Sequence, residues 1–398
     1  MSPCLQQLFT IAQKEERTII GLMSGTSLDG LDIAVCKIKG SGESTQLLVT
    51  HFTTVDFTTD FKEEIKKVFS KENVSLQQVC LLNEYIAKEH AKMINACLRE
   101  WKISNKKIDA IASHGQTIYH APEILHGRTK FGNGTLQIGD GDHLAVQTGI
   151  ICLSDFRQKH IAAGGEGAPL AAYGDLLLFK EPGTDVILLN IGGIANFTYL
   201  PADNQNIFST DTGPGNGMMD AYIQMIMPGT YYDNNAALAK KGKINDELLG
   251  ELKKEKFFNL AFPKTTGPEL FNVAYLQRAQ VNSNTNSLNE ADVMATLNRF
   301  TSETITDAIK NIAGFKNKNG KIYISGGGMH NPLIKEYLEE YTGLPICSTA
   351  EKQINPDAKE AILFAVLANE TLAGDADFYK KLGAKFPAVS MGKISLPG

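Results

Sequence analysis

Hydrophobic and polar residues fall into two patterns along this chain: short β-branched runs closed by turn residues, and longer apolar stripes at three- and four-residue steps. Thr18 to Met23 and Leu31 to Val35 are runs of the first kind, and the Ser24, Gly25, Thr26, Ser27, Asp29 and Gly30 between them predict a buried hairpin. A third strand is expected through Leu47 to Thr53, then a short helix near Phe61 to Phe69. Ser75 and Gln78 form a capping box for a long helix whose stripe is Leu76, Val79, Leu82, Ile86, His90, Met93, Cys97 and Trp101. His90 on that stripe reads as a packed core residue. Ile108 to Ala112 predicts a short strand delivering SHGQT at its C-terminal end, and GDGDH a turn capping a helix from Asp142 to Thr148. Ile151 to Ser154 is the next strand, ending in Asp155, Phe156 and Arg157 before the loop AAGGEGAPL.

The second half repeats that logic. Val186 to Asn190 and Phe197 to Leu200 flank a turn at Gly192 and Gly193, which makes a second glycine hairpin. STDTGPGNGMMD joins an extended segment to a helix beginning near Pro214. Residues 233–256 read as polar and helical, 263–272 as a loop and 281–289 as a linker rich in Asn and Ser. Val293, Leu297, Phe300, Ile305, Ala308 and Ile312 give the following helix its apolar face. Ile322 to Ile324 is a strand running into Gly326, Gly327 and Gly328, after which Asn331 and Pro332 open another helix. A final helix spans Pro356 to Leu372, with Ala361, Phe364, Ala365 and Ala368 on its apolar face and Glu360 beside it.

Composition narrows the classes. A chain of 398 residues is long for one domain and predicts two. The formal charge of −5 leaves no electrostatic footprint for nucleic acid. Six cysteines, with no C-x-x-C or metal-ligand spacing, read as buried thiols of a reducing compartment. The N-terminal stretch has no basic residue before its short apolar patch, so no signal peptide is expected, and no apolar run nears the ~18 residues of a membrane span. The cytoplasm is the expected location. No G-x-x-x-x-G-K-[ST] occurs, and after Gly213 and Gly215 the dinucleotide fingerprint fails at Met218. P-loop and nicotinamide chemistries are thereby disfavoured.

The turns carry the candidate chemistry. Gly25 and Gly30 let the backbone approach a ligand and take positive φ, while Thr26, Ser27 and free N–H groups donate hydrogen bonds suited to phosphate. Asp29 would repel a bare phosphate, which suggests Mg²⁺ and a nucleotide. Asp211, Gly213, Gly215 and Asn216 precede a helix N-terminus that favours an anion. His114, Gln116 and Thr117 offer partners for sugar hydroxyls, whereas His114, His120 and His126 fit no zinc spacing. Asp155, a strand-end carboxylate beside a glycine-rich loop, is the candidate catalytic group; an aspartate merely paired with Arg157 is the plainer alternative.

TIIGLMSGTSLDGLDIAVCK, SHGQT, DFR followed by AAGGEGAPL, DTGPGN, PKTTGPELFN, SGGG and Glu360 together resemble the anhydro-N-acetylmuramic acid kinases, of the actin-like, sugar-kinase and heat-shock ATPase superfamily. The resemblance implies an α/β fold of two ribonuclease-H-like domains, residues 18–154 plus 356–398 and residues 155–355, with ATP and Mg²⁺ in the cleft between them. It implies nucleotide contacts from Gly25, Thr26, Ser27, Leu28, Asp29, Gly30, Asp32, Gly192, Gly193, Asn196, Asp211, Gly213, Gly215, Asn216, Gly326, Gly327, Gly328 and Asn331, with Asp29 reaching the metal through water. The amino sugar falls to His114, Gln116, Thr117, Arg157 and Glu360, and the general base to Asp155; from the residues themselves, Arg157 is expected to hold that carboxylate ionised. The implied reaction turns 1,6-anhydro-N-acetylmuramic acid, ATP and water into N-acetylmuramic acid 6-phosphate and ADP, and the likeness also implies a homodimer. Pro268 stands where relatives often carry a basic residue, so that contact is not carried over. An actin-like ATPase and a kinase for an open amino sugar are the rival readings; SHGQT and DFR weigh against the first.

Overall fold

The computed structural model describes residues 2–25, 28–168, 170–181, 183–203, 207–312, 320–352, 354–382 and 386–398, so Thr26 and Ser27 of the expected phosphate loop lie outside the described residues. The chain divides into two compact units, Met1–Leu178 with Gln353–Gly398, and Phe179–Lys352.

In the first unit β1 (Glu16–Ser24), β2 (Gly30–Lys39) and β3 (Gln46–Asp56) form an antiparallel meander. Next come β4 (Ala110–Ala121), parallel to β1, β5 (Gly134–Ile138), antiparallel to the outer part of β4, and β6 (Cys152–Ser154), parallel to β4. The second unit repeats the scheme: β7 (Asp185–Ile191), β8 (Ile194–Leu200) and β9 (Phe208–Pro214) meander, then β10 (Gly320–Ser325) and β11 (Ile346–Ser348) add in parallel. The orders β3-β2-β1-β4-β6 and β9-β8-β7-β10-β11 are the same, three antiparallel strands followed by two parallel ones. This doubled α/β arrangement is the ribonuclease-H-like, actin-like fold the sequence led us to expect.

The chain returns to the first unit with helix Lys359–Ala373 and β12 (Lys393–Ser395), antiparallel to β6. Ile19, Ile20 and Leu22 of β1 are all buried, as a strand covered on both faces requires. Helix Leu76–Glu100 supplies Leu82, Ile86 and Ile94 to the core on that sheet. Helix Lys359–Ala373 lies so close to β1 that a Cβ at Gly21 would stand 1.9 Å from the Ala361 carbonyl oxygen. Only glycine permits that approach, and it brings the start of the helix that carries Glu360 against β1. No described helix is long and apolar enough to cross a membrane.

Several expectations change. Residues 155–178, expected in the second domain, belong to the first unit. Their side chains explain it: the Phe156 ring packs edge-on to Phe364 at 5.3 Å, worth about 0.5–1.5 kcal/mol beyond area burial, and Tyr173 Oη donates to the Pro387 carbonyl. SHGQT lies inside a strand, because β5 takes over pairing from Gln116 onward and β4 continues to Ala121. Pro214 ends β9, and the helix after it starts only at Gly217. Residues 233–256 break into short turns and the helix Asp246–Leu252, while the expected linker begins with the end of helix Val273–Asn282. Positive φ in the first hairpin falls on Leu28, at 59°, whereas Gly30 is part of β2.

Candidate functional site

Strand register decides which residues meet in the first unit. Leu22 on β1 is opposite Ser113 on β4, and Ser113 is opposite Ser154 on β6. Ser24 and Gly25, His114 to Gln116, and Asp155 therefore share one edge of the sheet, at the C-terminal ends of parallel strands where such sheets bind ligands.

Two of the expected sugar ligands turn inward. Gln116 is fully buried: its carbonyl oxygen accepts from Ser24 Oγ, and its amide donates to the carbonyls of Thr117, at 3.2 Å, and Gly25, at 3.4 Å. His114 is 3% exposed, donates from Nδ1 to Gly115 O at 2.9 Å and accepts Arg157 Nε–H at Nε2 at 3.0 Å. Burial, helped by the Arg157 charge, pushes its pKa down to about 3, so the ring is neutral, as an acceptor must be. Thr117 Oγ1 accepts from Gln137 Nε2.

Arg157 was expected to hold Asp155. It does not: Nε serves His114, and Nη1 donates to Gly167 O at 2.8 Å. Asp155 instead pairs with Lys393 on β12 at 2.5 Å. That lysine is 67% exposed, so the pair contributes at most about 1 kcal/mol, too little to keep the carboxylate from a substrate. The Asp155 backbone has φ 56°, the left-handed region, at a cost of roughly 1–2 kcal/mol for a non-glycine residue. Strain of this kind gathers at functional positions.

Glu360, at the start of helix Lys359–Ala373, reaches solvent with part of its side chain, yet its surroundings take away enough water to raise its pKa. The Asp32 charge adds to that rise, and Arg157 and Lys359 oppose it. Asp32 is raised too, first by burial and then by Asp357, against the Thr54 hydroxyl bond at 2.6 Å. Glu360 thus sits within electrostatic reach of both Asp32 and Arg157.

The second unit gathers three glycine-rich segments. Asn190 on β7 is opposite Ser325 on β10, and Ile194 on β8 opposite Pro214 on β9, which aligns the Gly192–Gly193 tip with residues 213–217 and 326–328. The N–H groups of Gly215 and Gly217 bond Gly193 O, and that of Asn216 bonds Gly192 O at 2.7 Å. These donors were expected to bind an anion; they clasp the hairpin instead. A Cβ at Gly215 would lie 2.2 Å from Gly192 O, so the clasp depends on glycine there. Gly193 itself has open space around its Cβ position. Burial raises the Asp211 pKa, against the Thr266 N–H that donates to its carboxylate, and Asp211 N–H bonds Lys264 O, so residues 263–272 are stitched to β9. Asn331 spends its Oδ1 capping helix Pro332–Thr342.

A family model described as anhydro-N-acetylmuramic acid kinase matches residues 17–395. The chain belongs to the anhydro-N-acetylmuramic acid kinase family. A protein of that name from Pseudoalteromonas atlantica is 52% identical over 406 residues, covering 100% of both chains. One from Caldanaerobacter subterraneus is 36% identical over 397 residues, covering 98% of this chain and 100% of its own. Among solved structures, component A of (R)-2-hydroxyglutaryl-CoA dehydratase from Acidaminococcus fermentans aligns over 89% of this chain and 99% of its own at 11% identity and a TM-score of 0.44, a likeness too slight to argue from.

In this kinase, sequence reasoning missed Lys393, His160 and Ser24. Lys393 comes 238 residues after its partner, and nothing local marks it. Ser24 was seen only as a turn residue, although its hydroxyl ties β1 to Gln116.

Proposed function

We propose that the chain transfers the terminal phosphoryl group of ATP to O6 of 1,6-anhydro-N-acetylmuramic acid while water opens the anhydro bridge, yielding N-acetylmuramic acid 6-phosphate and ADP in peptidoglycan recycling. The observation that carries this reading is Asp155, an aspartate in left-handed backbone at the end of a parallel strand, held among the described residues only by a solvent-exposed lysine. Opening the bridge needs water to attack the anomeric carbon as O6 departs, and a carboxylate roughly 3 Å from that water can take its proton as charge develops. Arg157 and Glu360 orient the sugar, with His114 and Gln116 holding the sheet edge beneath them. In the second unit the Gly192–Gly193 tip offers bare backbone to the phosphates, Asn216 braces it, and Gly326 to Gly328 take the adenosine.

Mg²⁺, arriving with ATP, supplies charge neutralisation on the phosphates. Asp29, exposed just before β2, would hold it through water; among the described residues no group of three or more His, Cys, Asp or Glu side chains is arranged as a metal site. A cytoplasmic location and a homodimer, testable by sedimentation, complete the proposal. ADP release measured with the anhydro sugar, with open N-acetylmuramic acid and with no sugar is the test. Release that requires the anhydro sugar is expected. Rapid hydrolysis without sugar would turn the reading to an actin-like ATPase, and preference for the open sugar to a simpler kinase.

A further inference from the structure

Helix Phe156–Ala162 begins directly after Asp155, and two of its side chains converge on one residue of the loop that follows. Arg157 Nη1 donates to Gly167 O at 2.8 Å, while Gly167 N–H donates to His160 Nδ1 at 2.9 Å. The loop folds around the His160 ring, which is 2% exposed: Gly165 N–H returns to His160 O at 2.9 Å, and a Cβ at Gly165 would lie 2.2 Å from the ring Cε1. An accepting Nδ1 requires a neutral ring with its proton on Nε2, and burial together with the Arg157 charge lowers the pKa to about 4. Nε2 has no hydrogen-bond partner among the described residues, so Nδ1 is the ring atom through which the side chain acts.

We propose that His160 is a positioning residue: acting with Arg157 through the two ends of Gly167, it fixes the loop 163–168 against the helix that Asp155 opens. The proposal rests on the reading of Asp155 as the general base. His114 extends the chain of contacts by accepting from Arg157 Nε, so two neutral histidines hold one arginine and one glycine in register.

Asparagine can offer an acceptor near the place of Nδ1, whereas glutamine offers one near Nε2 and leucine none, so His160→Asn, His160→Gln and His160→Leu in the full-length protein separate the bond from the bulk. With ATP and the anhydro sugar, kcat is expected to fall about ten- to a hundredfold in the glutamine and leucine variants, the scale of a small misplacement at a reacting centre, while ATP affinity stays within about twofold. His160→Asn should recover to within about threefold of the parent, and deuterium exchange across residues 163–168 should rise in the first two variants and return in the third. Should the leucine variant not fold, the asparagine and glutamine pair makes the comparison. Indistinguishable kcat values, or unchanged exchange, in those two variants would overturn the proposal. Asp155→Asn measured alongside keeps the readings apart: retained turnover there defeats the base assignment, whereas loss there with matching His160 variants defeats only the positioning role.

Discussion

Replacing Gly193 with valine separates nucleotide binding from folding. A Cβ at this position meets no atom within 4 Å, and Gly193 is not among the glycines with positive φ, so valine fits the free protein. Where the backbone tolerates a side chain, replacing glycine shifts stability by only about 0.4–1 kcal/mol, largely through the unfolded chain. The isopropyl group instead fills the space that the bare tip faces. A phosphate seated there would lose at least one charge-assisted N–H bond, worth about 1.5–3 kcal/mol, or roughly 10- to 150-fold in affinity. Gly215→Ala is the contrasting variant: its Cβ would press to 2.2 Å from Gly192 O and spoil the clasp, lowering the melting temperature as well as the affinity. Calorimetric titration with Mg²⁺ and a non-hydrolysable ATP analogue, paired with thermal melts, reads both quantities. A Gly193→Val protein with parental Tm and parental Kd would refute the assignment of this hairpin to the phosphates.

Asp155→Asn preserves shape but removes the base, so kcat should fall by ~10² to 10⁴ while calorimetric ATP affinity holds; a variant with most of its turnover would pass the role to Glu360. His90 gives a pH prediction: burial lowers its pKa from the ordinary 6.5 to about 4, so below pH 6.5 the unfolded chain takes up a proton that the folded one refuses. Stability should therefore fall as pH drops through that window, by about 2 kcal/mol at pH 5 from this residue alone, with His114 and His160 acting in the same direction. Denaturant unfolding at pH 7 and 5 should show a smaller loss in His90→Leu than in the parent, and equal losses would sink the argument.

Both glycine hairpins, the long helix after Ser75 and the triple glycine were legible because their signals are local: turn residues between β-branched runs, a cap, a 3.6-residue stripe. Pairing across the fold was not. Arg157 was matched with Asp155 because the two lie two positions apart, but residues at that spacing do not face each other once a helix starts between them, and Arg157 reaches His114, 43 residues away. The span 155–178 looked like the start of a new domain because a glycine-rich loop interrupts it. The run that follows, Ala171–Phe179, has apolar residues on every side and Asp175 as its one charge, so it carries no distinct face by which sequence could assign it to one core or the other.

SHGQT failed in a different way. A strand was ended at Ala112 because polar residues follow, yet Ser113, His114 and Gln116 are buried in a strand that continues, their polar atoms satisfied inside the protein. A polar residue at a position that burial would fill with an apolar one is thus a mark of something held in place. It is not a sufficient mark. His90, His114 and His160 are 1%, 3% and 2% exposed, but His90 stacks on Phe57 with neither ring nitrogen bonded among the described residues, whereas His114 and His160 each grip a group beside Asp155. What distinguishes a packed histidine from a positioning one is the partner on its ring nitrogen, and those partners, Arg157 and Gly167, are supplied by the fold.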